Sequence, residues 1–486
     1  MKKQPATAND WRTMPMPEAH DEFSFRRSFT PEQMELLRMG NVPEVMEDKW
    51  FWYYADNKLH IHRSWTGYCI FIVAFDPCSD LLHVTVNRDP AQYRSTDVHE
   101  DEYELRQLLN WWTQPEYDPY DQFVSDTYRA LLPLMQKDHA PTVQEKIQGC
   151  LYGGAAGDAL GYPVEFMSLD EIRAKYGPEG IRYYDLKNGR APFSDDTQML
   201  LFTLEGIYMW QAKLLKHHDG AMLKNTLYEA YRDWYFTQEN DTPRKEKHKP
   251  RTRLYLLESM HRRRGPGFTC IRALRMKKPG SIGNPYNDSK GNGGVMRVAP
   301  IGFMFPREEH SGAEFLKEVI RLGAESAALT HGHPLGFISA GMMAGLINEC
   351  VYGKSDDLRE MILCALNNTH AVFGTVPSMS ELTGLIVKAM ALAGENGDAV
   401  DHIAQLGHNS ACAESTMAIA IYCALRYQDD FDQAIRTAVN FDGDSDTVAA
   451  VTGNILGAWK GIGFIDQKWI EPLRMDQYLK VLEVYS

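Results

Sequence analysis

Two rhythms of hydrophobic residues divide this chain near residue 140. Before that point apolar positions tend to alternate with polar ones; after it they recur every third or fourth residue, the spacing of helix faces. Trp50 to Tyr54 is aromatic-rich, Ala55 to Lys58 reads as a turn, and Leu59 to Trp65 alternates. Cys69 to Phe75 is a β-branched and aromatic run, and Leu81 to Val86 alternates again. The pattern predicts a three- or four-stranded antiparallel meander. Helical spacing over Val98 to Trp112 and Tyr120 to Gln136 completes a small α+β module. Residues 1 to 28 are polar, contain prolines and lack periodicity, which predicts an extended arm.

From residue 142 the pattern is almost wholly helical. Helices are predicted over Thr142 to Leu160, Gln198 to His217, Met222 to Phe236, Ala313 to Ala328 and Pro334 to Val351. Others follow over Leu358 to Leu366, Met379 to Leu392, Thr416 to Arg426 and Phe431 to Val439. Small residues crowd two of them, at Gly153 to Gly157 and at Ala340 to Gly345, and allow helices to approach closely. The fold class is therefore mainly α: an all-α bundle over 142–486, a small α+β accessory and partner-binding module over 29–141, and an extended arm over 1–28. Lys137 to Pro141 reads as the linker. Between Glu239 and Arg264 lies a basic, proline-containing insertion, which reads as a solvated loop or as an anion-facing loop on the rim of a site. There is no internal repeat and no low-complexity tract.

Composition narrows the function. At 486 residues there is room for two domains or one large one, and a hydrophobic content of 44% with 24% charged residues is ordinary for a globular protein. A net charge of −14 argues against a general binder of nucleic acid or of anionic membranes. Eight cysteines are scattered without CxxC or metal-ligand spacing, which predicts reduced, mostly buried thiols and a cytoplasmic setting. The N-terminal segment has two lysines but no apolar stretch, so no signal peptide is expected. No run approaches the ~18 apolar residues of a membrane-spanning helix; the Ala/Gly-rich run from Phe337 to Leu346 reads as a buried core helix.

The chemistry is concentrated in two short clusters, Ser194-Asp195-Asp196-Thr197 and Asp444-Ser445-Asp446-Thr447. Each puts two carboxylates and neighbouring hydroxyls into four residues. Adjacent like charges stay buried only if a cation neutralises them. The donors are all oxygen, which favours Mg²⁺, Mn²⁺ or Ca²⁺ over zinc. A solvated turn and a helix N-cap would use the same residue types, but the second copy sits against the apolar run Val448 to Val451. Four further segments stand in order around these clusters: Gly153 to Gly161 followed by Pro163-Val164-Glu165-Phe166; Gly291 to Pro300; Thr330-His331-Gly332-His333-Pro334; and Phe441-Asp442-Gly443.

In this order the segments resemble the ADP-ribosylglycohydrolase family, of the dinitrogenase-reductase-activating type, from Val143 onward. The resemblance implies an all-α fold with a binuclear Mg²⁺ or Mn²⁺ site at the base of a cleft. It implies that Ser194, Asp195 and Asp196 supply one set of metal ligands and Asp444, Asp446 and Thr447 the other. It places Glu165 close to metal and substrate as the acid/base group, with Asp196 sharing that work. Gly291, Asn292, Gly293, Gly294 and Met296 would lie against the ADP-ribose, where missing side chains let backbone N–H groups approach an anion, and His331 nearby. Asp233 is a weaker candidate for orienting a guanidinium leaving group; the alternative is an exposed helix carboxylate. The module before residue 142 is absent from minimal members of the family.

The implied activity is removal of ADP-ribose from modified protein side chains, arginine first and serine or other conjugates as alternatives. Some members resemble immunity proteins against ADP-ribosyltransferase toxins, and these also block the toxin with an N-terminal extension. Residues 1 to 143 carry 14 Lys/Arg against 23 Asp/Glu, so −9 of the −14 lies there. That charge suits docking on a basic cleft. The partners expected are thus an ADP-ribosylated protein and such a toxin, with neither nucleic acid nor membrane. A mainly non-catalytic binding protein is the third reading, against which the complete ligand set argues.

Overall fold

The computed structural model describes the chain except residues 1–3, 44–47, 77–78, 115–139, 218–221, 240–247, 277, 308–313, 408–409 and 486. The expected helix over Tyr120 to Gln136 lies outside the described residues. The chain forms two compact units, residues 1–139 and 140–486.

The first unit is built on a five-stranded antiparallel sheet. Its strands are β1 (His20–Arg26), β2 (Trp50–Ala55), β3 (Lys58–Arg63), β4 (Cys69–Phe75) and β5 (Leu81–Asn87), in the order β1-β5-β4-β3-β2. Strands β2 to β5 are the expected meander. The arm over residues 1–28 is corrected: His20–Arg26 pairs along β5, from His20 opposite Asn87 to Arg26 opposite Leu81. Phe23 and Phe25 give this segment a period of two. Its other residues are polar and exposed, as edge strands commonly are, and they conceal the signal. Helix α1 (Pro31–Met39) starts at a capping box in which Thr30 and Gln33 exchange hydrogen bonds. Helix α2 (Val98–Trp112) lays Trp112 on Trp52, with ring centroids 4.0 Å apart. Leu105, Leu108 and Leu109 join it in the core.

The second unit is helical. Its elements are α3 (Val143–Gly161), α4 (Leu169–Tyr176), α5 (Asp195–His217), α6 (Leu223–Gln238), α7 (Phe268–Arg275), α8 (Ala299–Phe303) and α9 (Glu314–Ala328). They continue with α10 (Pro334–Tyr352), α11 (Leu358–Phe373), α12 (Ser378–Ala393), α13 (Ala399–Ala404), α14 (Ala413–Arg426), α15 (Phe431–Val439) and α16 (Ser445–Lys460), before short helical turns to the end. Helix α16 goes beyond the pattern-based expectation, because it is buried on every side and shows no polar face. Helix α10 has the expected bounds to within one residue, but over its 19 residues it is apolar enough to cross a membrane by length and composition, which corrects the expectation that no run approaches that length. It is 94% buried among its neighbours, as a core helix is. The seven described cysteines are all unpaired.

The site depends on the seam between α3 and α16. A Cβ on Gly149 would fall 2.3 Å from the carbonyl oxygen of Gly457, one on Gly153 2.3 Å from that of Gly453, and one on Gly157 2.0 Å from that of Ala449. At the end of the seam, a Cβ on Gly161 would meet Asp446 Cα at 2.4 Å. The two backbones touch every fourth residue, so no side chain separates the last turn of α3 from the first turn of α16.

Gly453→Ala is therefore expected to lose ~2 kcal/mol or more of unfolding free energy, because the added methyl meets backbone that cannot yield. Gly384→Ala, on an open face of α12 where nothing lies within 4 Å, should instead gain up to ~1 kcal/mol from helix propensity. Urea unfolding of both variants reads the contrast.

Candidate active site

Asp158, in the last turn of α3, is fully buried and organises the first acidic cluster. Its Oδ1 accepts from Ser194 N at 2.7 Å, and its Oδ2 accepts from Thr197 N at 2.9 Å and Thr197 Oγ1 at 2.5 Å. Ser194 Oγ in turn accepts from Asp196 N at 3.2 Å, starting α5 as a cap. Asp195 N donates to Arg264 O, and Asp195 Oδ2 accepts from Gly267 N at 3.1 Å. The end of the basic insertion thus lies against the cluster, and the expectation of a wholly solvated loop is corrected for these residues.

The second cluster is held just as closely. Asp444 occupies the N-cap position of α16, but its side chain does not cap the helix. Asp444 Oδ2 accepts from Asn292 Nδ2 at 3.0 Å, and Asp444 N donates to Ser410 Oγ at 2.6 Å. Asn292 also donates to Thr416 Oγ1 and Ser410 O, so the glycine loop is tied to the second cluster through one amide. The two clusters act on one another: Asp444 and Asp195 both raise the pKa of Asp196, while Thr447 lowers it. Carboxylate oxygens of Glu165, Asp444 and Asp446 lie within 4.8 Å of one another.

Burial, with repulsion from the neighbouring carboxylates, holds Asp195, Asp196 and Asp446 well above the usual carboxylate range. Glu165 is pushed up to about 8 by burial and then by Asp444 and Asp158. Asp196 Oδ2 and Asp444 Oδ1 are buried acceptors with no hydrogen-bond donor among the described residues. An all-oxygen donor set, mutually repelling and short of donors, fits a hard divalent cation.

Glu165 ends the turn after α3, and its neighbour is unusual. Phe166 has φ of +59°, in the left-handed region, yet its ring is 65% exposed. Phe166 N donates to Gly443 O at 3.0 Å, and Leu169 N donates to Asp442 Oδ1. The turn is held by the loop that carries Asp444, so hydrogen bonds on the residues after Glu165 tie it to the second cluster. Gly265, with φ of +67°, closes over Glu165: a Cβ there would come within 3.3 Å of Glu165 Oε2.

His331 is buried beside the glycine loop, and a Cβ on Gly293 would fall 2.8 Å from its ring. Gly291, Gly293 and Gly294 thus make room for His331 and for Ala327. Met296 is buried in the core behind them. Arg297, fully buried, donates to Thr330 Oγ1 at 2.8 Å, and Thr330 Oγ1 lies 2.8 Å from His331 Nδ1. Burial and Arg297 push His331 down to about 3, so the ring is neutral.

Asp233 is corrected on both expectations. It is 1% exposed, so it is no surface carboxylate. Its oxygens accept from His248 Nε2, Arg251 N, Thr252 N and Thr252 Oγ1 at 2.7 to 2.8 Å. Those four donors use its acceptor capacity, and it anchors the segment after residue 247 rather than facing a leaving group. Asp158 and Arg297 are the residues that reading by motif passed over. Their signal was a lone charge inside an otherwise apolar, small-residue run, which must find partners when buried.

Two acidic helix starts joined across a glycine seam, with Glu165 between them and a buried Thr-His pair behind a GNGG loop, make up this site. The ADP-ribosylglycohydrolase family model matches residues 139–485. The chain belongs to that family. It is a hydrolase of the ADP-ribosylglycohydrolase type, mostly helical, with a small antiparallel sheet ahead of the family domain. It is 29% identical to an uncharacterized protein of Archaeoglobus fulgidus over 70% of this chain and 95% of that one. It is 24% identical to the ADP-ribosyl-[dinitrogen reductase] glycohydrolase of Rhodospirillum rubrum, over 69% and 92%. Identity to the ADP-ribosylarginine hydrolase Tri1 of Serratia proteamaculans is 25%, over 68% and 75%.

Within this ADP-ribosylglycohydrolase, Phe166→Gly should raise unfolding free energy by ~1 kcal/mol by relieving the left-handed backbone, since little ring burial is lost; chemical denaturation measures it. Asp233→Ala should cost ~2–4 kcal/mol, because it strands four buried or half-buried donors. Urea unfolding and protease cleavage near residue 250 report that loss, whereas a residue facing the leaving group would leave both unchanged.

Proposed function

We propose that this protein hydrolyses ADP-ribosylarginine on modified proteins in a divalent-cation-dependent reaction. The observation that carries the reading is the gathering of carboxylate oxygens of Glu165, Asp444 and Asp446 within 4.8 Å of one another, with buried acceptors on Asp196 and Asp444 that lack donors among the described residues. Arginine is favoured by the similarity to the ADP-ribosylarginine hydrolases Tri1 of Serratia proteamaculans and Pseudomonas putida. Ser194, Asp195, Asp196, Asp444, Asp446 and Thr447 would hold the cation, Mg²⁺ or Mn²⁺, and two ions in this reading. When bound, it neutralises the carboxylates, orients the ribose hydroxyls and lowers the pKa of water.

The protein's own residues do the rest. Asp158 and Asn292 fix the two carboxylate clusters, so little reorganisation is needed as charge develops at the ribose. Glu165 handles the proton: as a carboxylate it takes one from the attacking water as the C1″–O bond forms and the C1″–N bond breaks, and it passes that proton to the departing guanidine nitrogen, returning to the carboxylate. Asp196 is the ligand nearest in role to share that work. Neutral His331 turns Nε2 toward Gly291, where it can share a hydrogen bond with a ligand.

A second reading concerns the unit before residue 140. Its charge of −9 and its exposed Trp65 and Trp11 suit docking on a basic, apolar-rimmed cleft, such as that of an ADP-ribosyltransferase toxin. The protein would then act as an immunity protein that both reverses the modification and blocks the toxin.

Release of ADP-ribose from arginine-modified protein, with Mg²⁺ and with EDTA, tests the main reading. Release should require the metal and should fall at least ~100-fold in Asp195→Ala and Asp446→Ala. Mg²⁺ or Mn²⁺ should raise the Tm of the wild type and not of these variants. Release only from a serine-linked substrate would move the acceptor; Tm values indifferent to metal would end the cation reading. For the second reading, Glu165→Ala should still neutralise a cognate toxin in cells if blocking is real.

A further inference from the structure

Two exposed phenylalanines stand at the edge of the carboxylate site. Phe166 is 65% exposed and Phe268 77%, and neither ring belongs to the hydrophobic core among the described residues. Apolar residues exposed singly are ordinary on protein surfaces. These two are set apart by where the backbone holds them.

Phe166 follows Glu165 directly, and its N–H donates to Gly443 O at 3.0 Å, one residue before Asp444. It is thereby fastened between two of the three groups whose carboxylate oxygens lie within 4.8 Å of one another. Phe268 begins α7, and Gly267 before it donates to Asp195 Oδ2 at 3.1 Å. Two residues further back, Gly265 closes over Glu165 Oε2. The segment 265–268 thus runs from Glu165 to Asp195 and ends on Phe268. Successive Cα atoms are only ~3.8 Å apart, so both rings spring from backbone next to the site.

The conformation of Phe166 says what its ring is for. A φ of +59° is one that bulky L-residues rarely adopt, and glycine would hold the same turn without strain. A ring that stays mostly in water buries too little surface to offset that strain within the fold. Strain retained for an exposed side chain beside a reactive site points to a contact outside the folded chain. Phe268 is placed to the same effect: Cys270, Ala273 and Leu274 of α7 turn into the core, and Phe268 stays out.

The groups read above as meeting ADP-ribose, Asn292 and His331 among them, are buried. Rings as exposed as these offer most of their surface to what lies beyond the site. Beyond an ADP-ribose joined to a side chain lies the polypeptide that carries it. We propose that Phe166 and Phe268 are the contacts for that polypeptide, packing on backbone and apolar side chains next to the modified residue. Aromatic anchors of this kind dominate protein–protein contacts. They make the modified protein a better substrate than the free ADP-ribosylated amino acid. This contact rests on the hydrolase reading above, whichever acceptor residue is used.

Steady-state release of ADP-ribose from a modified protein, and from the free ADP-ribosylated amino acid of the same acceptor, tests it. Arginine-linked and serine-linked pairs are both run. On the modified protein, Phe166→Ala and Phe268→Ala should each lower kcat/KM at least ~10-fold, through KM, with kcat within ~2-fold of wild type. On the free conjugate each should keep kcat/KM within ~2-fold of wild type. Phe166→Tyr and Phe268→Tyr should retain the activity on protein, and the urea midpoints of the alanine variants should not fall. An equal loss on both substrates would put the rings on ADP-ribose or on the catalytic turn and overturn the proposal. So would wild-type kcat/KM on the modified protein in both alanine variants. A wild type that releases nothing from any of these substrates would instead end the hydrolase reading, and the polypeptide contact with it.

Discussion

The contact between α3 and α16 is the constraint on which the rest of the helical unit depends. Two helix backbones touch where Gly149, Gly153 and Gly157 meet Gly457, Gly453 and Ala449. Such approach exchanges side-chain burial for dispersion contacts and for geometric definition. The definition is used at one end of the seam. Gly161 abuts Asp446, and Asp158, one turn earlier, holds Ser194 and Thr197. A single rigid seam thus brings together two carboxylate clusters that are about 250 residues apart in the chain, a separation plain from their numbering.

Joining those clusters is unfavourable without a counter-charge. Burial and repulsion raise the pKa of Asp195, Asp196 and Asp446 well above their ordinary range. The fold accepts this cost at one place and supports it from several sides. Asn292 donates to Asp444, Gly267 to Asp195, and the Phe166 turn is tied to Gly443. The left-handed Phe166 and the buried acceptors Asp196 Oδ2 and Asp444 Oδ1, without donors among the described residues, lie at this one place. Behind them Arg297, Thr330 and His331 are linked by hydrogen bonds, and burial with the Arg297 charge keeps the imidazole neutral.

The first unit follows a different logic. Its core is an aromatic contact between a sheet and one helix, with Trp52 and Trp112 at its centre. Its charge is acidic overall, and Arg27 and Arg38 each lie over an aromatic ring.

Much of this was legible in the chain alone. Alternation at Leu59 to Trp65 and at Leu81 to Val86 marked the meander, and three-to-four spacing marked α5, α6, α9, α10, α12 and α15. The paired Ser-Asp-Asp-Thr and Asp-Ser-Asp-Thr clusters marked the chemistry, because adjacent carboxylates on apolar flanks have few other uses. What escaped did so for stated reasons. His20–Arg26 shows only two apolar residues on an edge strand, and α16 shows no polar face because it is buried all round. Asp233 looked like a surface helix carboxylate, since nothing local reveals that four donors from residues 248 to 252 return to it. The sequence by itself determined which residues could carry the chemistry, for residue type sets donor atoms and charge. The tertiary structure alone decided which of them meet: proximity across hundreds of residues depends on backbone packing, and a glycine's missing side chain shows its use only when the opposing helix is in place.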